Sequence, residues 1–119
     1  MYKKILVTLL LVLFTTPAFS QTYIRKGQTK YGTIVYRYDE STKTVREGQM
    51  STNKIVFNKD RQRIRRGKSI TGEVIYLIDG NYIRKGDNKN NQIIYFIDGN
   101  YIRKGVNKTA PIVFYIDKR

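Results

Sequence analysis

The sequence predicts an all-β domain built from five tandem β-hairpin repeats of about nineteen residues each. Five glycines recur at spacings of 21, 19, 19 and 19 residues: Gly27, Gly48, Gly67, Gly86 and Gly105. Two residues before each glycine stands an arginine: Arg25, Arg46, Arg65, Arg84 and Arg103. Nine residues after each glycine comes Tyr or Phe, and an Asp follows three residues later in every copy. These four positions, Gly, Arg, the aromatic residue and Asp, keep the same relative spacing in all five copies, which indicates a repeat architecture.

Each copy contains two predicted strands. In the fourth copy, residues 82–85 form a short first strand, and residues 92–97 form a longer one rich in β-branched and aromatic side chains. Residues 86–91 between them have the polar composition of a surface turn. The copy therefore predicts two strands joined by an exposed loop.

Consecutive copies are linked by a tight-turn signal. The segments 79–81 and 98–100 both read Asp-Gly-Asn, and Asp-Gly between two β segments is typical of a hairpin. The sequence leaves open whether this turn contains two or three residues. The choice matters because a shift of one residue moves every side chain to the other face of the strand.

The two ends of the repeat region are complementary halves of one hairpin. Residues 22–26 form a lone first strand and residues 112–117 a lone last strand. Pairing them would close a pseudo-fivefold ring without exposed edges, which is the arrangement we expect. A short β-solenoid is the alternative, but it would stack like-charged arginines about 4.8 Å apart. An irregular meander or sandwich also stays open.

The first twenty residues predict a cleavable signal peptide. Lys3 and Lys4 precede an apolar segment, and residues 18–20 read Ala-Phe-Ser, as a signal peptidase requires. Residues 21–119 then form a single domain with 21 basic and nine acidic residues and no cysteine. We expect a protein exported to the periplasm or beyond, without stable membrane insertion after cleavage and stabilised without disulfides.

The repeats resemble those of the five-fold β-flower proteins, a family of small secreted bacterial β-hairpin repeat proteins. Segments 75–88 (IYLIDGNYIRKGDN) and 94–105 (IYFIDGNYIRKG) carry the resemblance, which covers residues 22–119. The second copy, around residues 44–60, departs most from the pattern. The resemblance implies a ring of β-hairpins and export, and it implies no activity.

Arginine and tyrosine are the candidate binding residues. A ring of guanidinium groups would suit oxyanions, although each arginine could instead pair with a repeat aspartate. Alternating arginines would share one face of a strand, and recurring tyrosines could stack on sugars or bases. The candidates are Arg25, Arg46, Arg65, Arg84 and Arg103, the alternating set Arg61, Arg63 and Arg65, and the tyrosines Tyr23, Tyr82 and Tyr101.

Catalysis and metal binding find little support in the residues. The chain has no His and no Cys, the commonest general base and the thiol nucleophile. Each turn offers a single Asp, whereas calcium takes six to eight oxygen ligands, so turn capping explains the aspartates better. We therefore expect no enzyme activity, no catalytic residues, no metal site and no cofactor.

Two functions are expected from these features. One is a monomeric binding module that engages an anionic polysaccharide or another polyanion, or a glycan, through a basic Arg- and Tyr-rich face. The alternative is a structural or interaction protein of the bacterial envelope that contacts a protein partner.

Overall fold

The computed structural model describes residues 21–119, so the predicted signal peptide lies outside the described residues. All regular structure in this part of the chain is β. Ten strands follow one another: β1 (Gln21–Lys26), β2 (Ile34–Asp39), β3 (Thr44–Glu47), β4 (Ile55–Asp60), β5 (Arg63–Arg66), β6 (Val74–Asp79), β7 (Tyr82–Lys85), β8 (Ile93–Asp98), β9 (Tyr101–Lys104) and β10 (Ile112–Lys118). Residues 21–119 contain no helix long and apolar enough to span a bilayer.

The ten strands form one closed antiparallel barrel. Each strand pairs with its neighbours in sequence, and β1 closes the circle by pairing with both β2 and β10. At this seam Ile24 lies opposite Ile116, and Gln21 and Arg119 exchange two backbone hydrogen bonds where a turn would otherwise stand. The predicted ring closure is confirmed. The solenoid alternative is wrong, because consecutive strands pair antiparallel and like positions of successive copies are never directly opposite.

The tight turns contain two residues. Asp79 pairs with Tyr82 and Asp98 with Tyr101, which leaves only a Gly-Asn pair between the strands. Gly80 and Gly99 both adopt a φ of 62° at the first turn position, as a type II′ hairpin turn requires. The structure thereby settles the register that the sequence left open.

The second strand of every copy carries a β-bulge at the same repeat position: β2, β4, β6, β8 and β10. Between β1 and β2 the pairing steps from Ile24–Tyr36 to Arg25–Ile34, so Val35 has no partner of its own. The same shift occurs between the two strands of each of the other four copies. Bulges bend a strand and increase its twist, which helps ten short strands curve into a closed ring.

The two ends of the barrel differ. The short turns after β2, β4, β6 and β8 lie at one end, which we call the turn end. The five longer loops, residues 27–33, 48–54, 67–73, 86–92 and 105–111, lie at the other. We call this second end, with the charged strand residue that precedes each loop, the loop end.

Candidate functional site

The repeat arginines lie on the outer wall and connect each hairpin to its loop. Arg84 donates from Nε to Asp79 Oδ2 at 3.0 Å and from Nη1 to the carbonyl of Asn91 at 2.8 Å. Arg25, Arg65 and Arg103 make the same two kinds of contact, with their side chains only 11–20% exposed. The geometry thus corresponds to the pairing alternative that the sequence left open.

Arg46 is the exception among the five. It donates from Nη1 to the carbonyl of Asn53 at 2.6 Å, but Asp39 accepts hydrogen bonds from the backbone and hydroxyl of Ser41 instead. The second copy has a longer turn here, residues 40–43, and this turn uses the aspartate as its cap.

The expectation that Arg61, Arg63 and Arg65 share one face of a strand is wrong for Arg61. Strand β5 begins at Arg63, because Arg61 and Gln62 form the turn and Arg61 has a φ of 59°. Arg63 and Arg65 do alternate along β5. Arg63 donates to Asp87 at 2.7 Å and Arg65 to Asp60 at 3.2 Å, so each has a carboxylate partner within the chain.

The three candidate tyrosines lie on the same outer wall, and each packs against a side chain of its own copy. Tyr82 lies 5.6 Å from Phe96 between ring centroids, and Tyr101 lies 6.0 Å from Tyr115. Tyr23 is buried and carries the Arg37 guanidinium over its ring. These rings already have packing partners within the fold.

The interior of the barrel holds an apolar cavity of ≈ 220 Å³. Five aromatic side chains form a girdle around it, with successive centroids 6.1, 6.5, 6.4 and 6.2 Å apart: Tyr36, Phe57, Tyr76, Tyr95 and Phe114. Five isoleucines complete its lining: Ile24, Ile64, Ile78, Ile83 and Ile102. We call these ten residues the cavity wall.

A ring of charged residues stands beside the aromatic girdle, towards the loops. The register places Glu47 opposite Tyr36, Arg66 opposite Phe57, Lys85 opposite Tyr76, Lys104 opposite Tyr95 and Lys26 opposite Phe114. All five charged residues are exposed. We call them the rim. The barrel axis therefore passes from a charged rim through an aromatic layer to an aliphatic layer.

The tyrosine hydroxyls of the cavity wall have no hydrogen-bond partner among residues 21–119. Tyr36, Tyr76 and Tyr95 contribute these hydroxyls, while the same repeat position is Phe in the second and fifth copies. Burial, and then the proximity of Tyr95, raises the pKa of Tyr76, so it stays a neutral hydrogen-bond donor at physiological pH. The wall thus combines apolar surface with a few uncommitted polar groups.

Charge is segregated toward the loop end. Nine exposed cations lie there, against three carboxylates, Glu47, Glu73 and Asp87: Lys26, Lys30, Lys54, Arg66, Lys68, Lys85, Lys89, Lys104 and Lys108. The rest of residues 21–119 carries twelve basic and six acidic residues, but only four of those cations are exposed: Lys43, Arg61, Lys118 and Arg119. Four of the five loops also expose one large apolar side chain each: Tyr31, Met50, Ile70 and Val106.

Partial signals for these features are present in the sequence. The sequence shows that the tyrosines of the girdle recur at one repeat position, but their spacing does not predict that they surround a common axis. The rim could have been found from the charged residue that directly precedes every repeat glycine. The candidate arginines and tyrosines share the outer wall of the barrel, but the structure does not gather them into one site.

The comparison with protein families agrees with this architecture. The family model that matches is described as a 6-fold beta flower protein, and the match covers residues 24–119. No curated protein and no solved structure shows significant similarity to the chain. The expected kind of family is confirmed, while the description counts six units and the barrel of this chain has ten strands in five pairs. Since the match spans most of the sequence, the chain belongs to the 6-fold beta flower protein family.

Proposed function

We propose that this protein is an exported, non-enzymatic binding module that engages an anionic polymer through its loop end. The carrying observation is the segregation of nine exposed cations onto one end of a closed barrel. Charges arranged on one face attract a polyanion more strongly than the same charges spread over the whole surface.

The loop-end lysines carry this proposal in place of the repeat arginines. The arginines of four copies are paired with aspartates and loop carbonyls, whereas Lys30, Lys68, Lys89 and Lys108 extend from exposed loops. A flexible lysine offers a point charge rather than a planar fork, which suits contacts with many phosphate, sulfate or carboxylate groups along a chain.

A salt series with immobilised polyanions tests the proposal. We expect affinity to fall steeply with ionic strength, with a preference among polymers of equal charge density. The double variant Lys68→Gln/Lys89→Gln should weaken binding and flatten the salt dependence. Its matched control, Lys43→Gln/Lys118→Gln, removes the same charge from the turn end and should bind normally. Equal losses for both variants would contradict a loop-end site.

A protein partner in the bacterial envelope is the second candidate. The exposed apolar side chains Tyr31, Met50, Ile70 and Val106 favour it, because they lie on the same loops as the lysines and could form the centre of a contact. Salt-resistant capture of one stoichiometric envelope protein, lost in Tyr31→Ser/Ile70→Ser, would select this function over polyanion binding.

The number of hairpin units in the ring is a further part of the proposal. We infer that this chain is a five-unit variant of a ring described as six-fold, exported and monomeric. The five pairs of strands support the count, and closure without a free edge supports a monomer.

A further inference from the structure

The barrel is too wide for its side chains to fill. Eight strands give an interior that side chains just fill or that holds one small ligand, and this barrel has ten. Its cavity of ≈ 220 Å³ exceeds the roughly 150 Å³ of an engineered apolar cavity that binds benzene. Space for a small molecule therefore exists on the barrel axis.

Water reaches the cavity wall. All ten wall residues are only half-buried. The only buried apolar residues in this part of the chain, Tyr23 and Leu77, belong to the outer wall. A small domain without disulfides gains stability mainly from apolar burial. The inner aromatic and aliphatic surface contributes less of this stabilisation because water reaches it. An apolar ligand in the cavity would exclude the water and restore the stabilisation from burial.

Polar groups are arranged along one end of this apolar surface. The hydroxyls of Tyr36, Tyr76 and Tyr95 have no partner among residues 21–119, and the rim beyond them has four cations and one carboxylate. An apolar cavity with a few convergent polar groups at its mouth is the usual form of a small-molecule site. Donors and cations at the mouth select an anionic head group over a cationic one.

We propose that the barrel cavity binds one amphipathic carboxylate, with its apolar body among the isoleucines and its carboxylate at the tyrosine hydroxyls and rim cations. This site differs from the polymer-binding loop surface by its cavity wall, although the four rim cations, Lys26, Arg66, Lys85 and Lys104, belong to both. Variants of the cavity-wall tyrosines distinguish the two sites, because these tyrosines lie inside the barrel.

Calorimetric titration of the purified protein with octanoate and decanoate, beside octanol and decanol, tests the site. We expect saturable one-to-one binding of the carboxylates, with about tenfold weaker binding of the matched alcohols. Tyrosine fluorescence gives a second readout, since the chain has no Trp. Absence of saturable binding of any of the four probes would overturn the proposal.

The triple variant Tyr36→Phe/Tyr76→Phe/Tyr95→Phe separates a built site from unspecific apolar adsorption. Phe already occupies this position in two copies, so the fold should be retained, with an unchanged melting temperature as the control. We expect carboxylate affinity to fall about tenfold while alcohol affinity and polyanion binding stay unchanged. Equal affinity of variant and parent for the carboxylates would overturn the assigned head-group contact.

Discussion

The Nε of Arg25 donates to Asp117 Oδ2 at 2.9 Å, joining the first strand of the barrel to the last across its seam. In three other copies the same arginine–aspartate contact lies within one covalent hairpin, as in Arg84–Asp79. The seam thus reproduces a hairpin contact between residues 92 positions apart. The ends of the repeat region behave as one more hairpin without a turn.

Ring closure should be essential for the folded monomer. Deletion of residues 21–27 removes β1 and exposes the edges of both β2 and β10, which then become templates for pairing with other chains. We expect unfolding or self-association, measured by light scattering on a sizing column and by urea denaturation. Arg25→Ala is the control, because it keeps the strand and should stay monomeric. A stable monomeric deletion variant would contradict closure as the source of stability.

Loss of an arginine that pairs with both an aspartate and a loop carbonyl should cost more stability than loss of Arg46. Arg84→Ala removes two charge-assisted hydrogen bonds and leaves Asp79 without its partner, so we expect the free energy of unfolding to fall by about 1–3 kcal/mol. Arg46→Ala removes only the bond to the Asn53 carbonyl.

Urea denaturation of the two variants measures this difference. Arg84→Lys should restore little of the loss, because an ammonium group cannot reach aspartate and carbonyl in the planar arrangement of a guanidinium. If both alanine variants lost the same stability, the aspartate contact would have no net effect.

Arg61 should be replaceable by glycine with a gain in stability. Arg61 has a φ of 59° at the turn position that Gly80 and Gly99 occupy in other copies with a φ of 62°. A non-glycine side chain in this region costs on the order of 1 kcal/mol. We expect Arg61→Gly to raise the melting temperature. Gln62→Gly, in the same turn but without a positive φ, should lower it by increasing the freedom of the unfolded chain.

Tyr38 should make the protein less stable at alkaline pH. Burial, followed by the negative charge of Glu40, raises the pKa of its hydroxyl well above the ordinary value of 10. Above about pH 10 the unfolded state therefore releases a proton that the folded state keeps, and the free energy of unfolding declines as pH rises.

Urea denaturation between pH 8 and 11 measures this effect. Tyr38→Phe should show a shallower decline than the parent, because phenylalanine has no hydroxyl that the unfolded chain could deprotonate. Tyr31→Phe is the control, since Tyr31 is 83% exposed and should leave the pH profile unchanged. Identical slopes for the parent and Tyr38→Phe would contradict the assigned cause.

Several features of the fold can be predicted from the sequence because the same pattern occurs in all five copies. Periodicity and turn chemistry predict three of these features: the strand pair in each copy, the hairpin at Asp79-Gly80-Asn81, and the pairing of the two ends of the repeat region. The bulge was less visible. Its signal is clearest in β2, where the apolar run Ile34-Val35-Tyr36 precedes alternating residues.

The candidate sites were less predictable than the fold. The repeat arginines stood out because they recur, yet recurrence equally marks a contact that every hairpin needs, and Arg84 makes such a contact. Arg61 illustrates a second difficulty, since it is one of the two turn residues that precede the strand to which its spacing assigned it.

By itself the sequence determined that this protein is a basic, cysteine-free ring of five β-hairpin units, because local propensity, turn residues and a fixed period act along the chain. Only the tertiary structure decided what the ring encloses and which end carries the charge. Those properties depend on barrel curvature and on which side chains from distant copies line one cavity, as Tyr36 and Phe114 do. Such contacts arise from closure, whose geometry no single repeat contains.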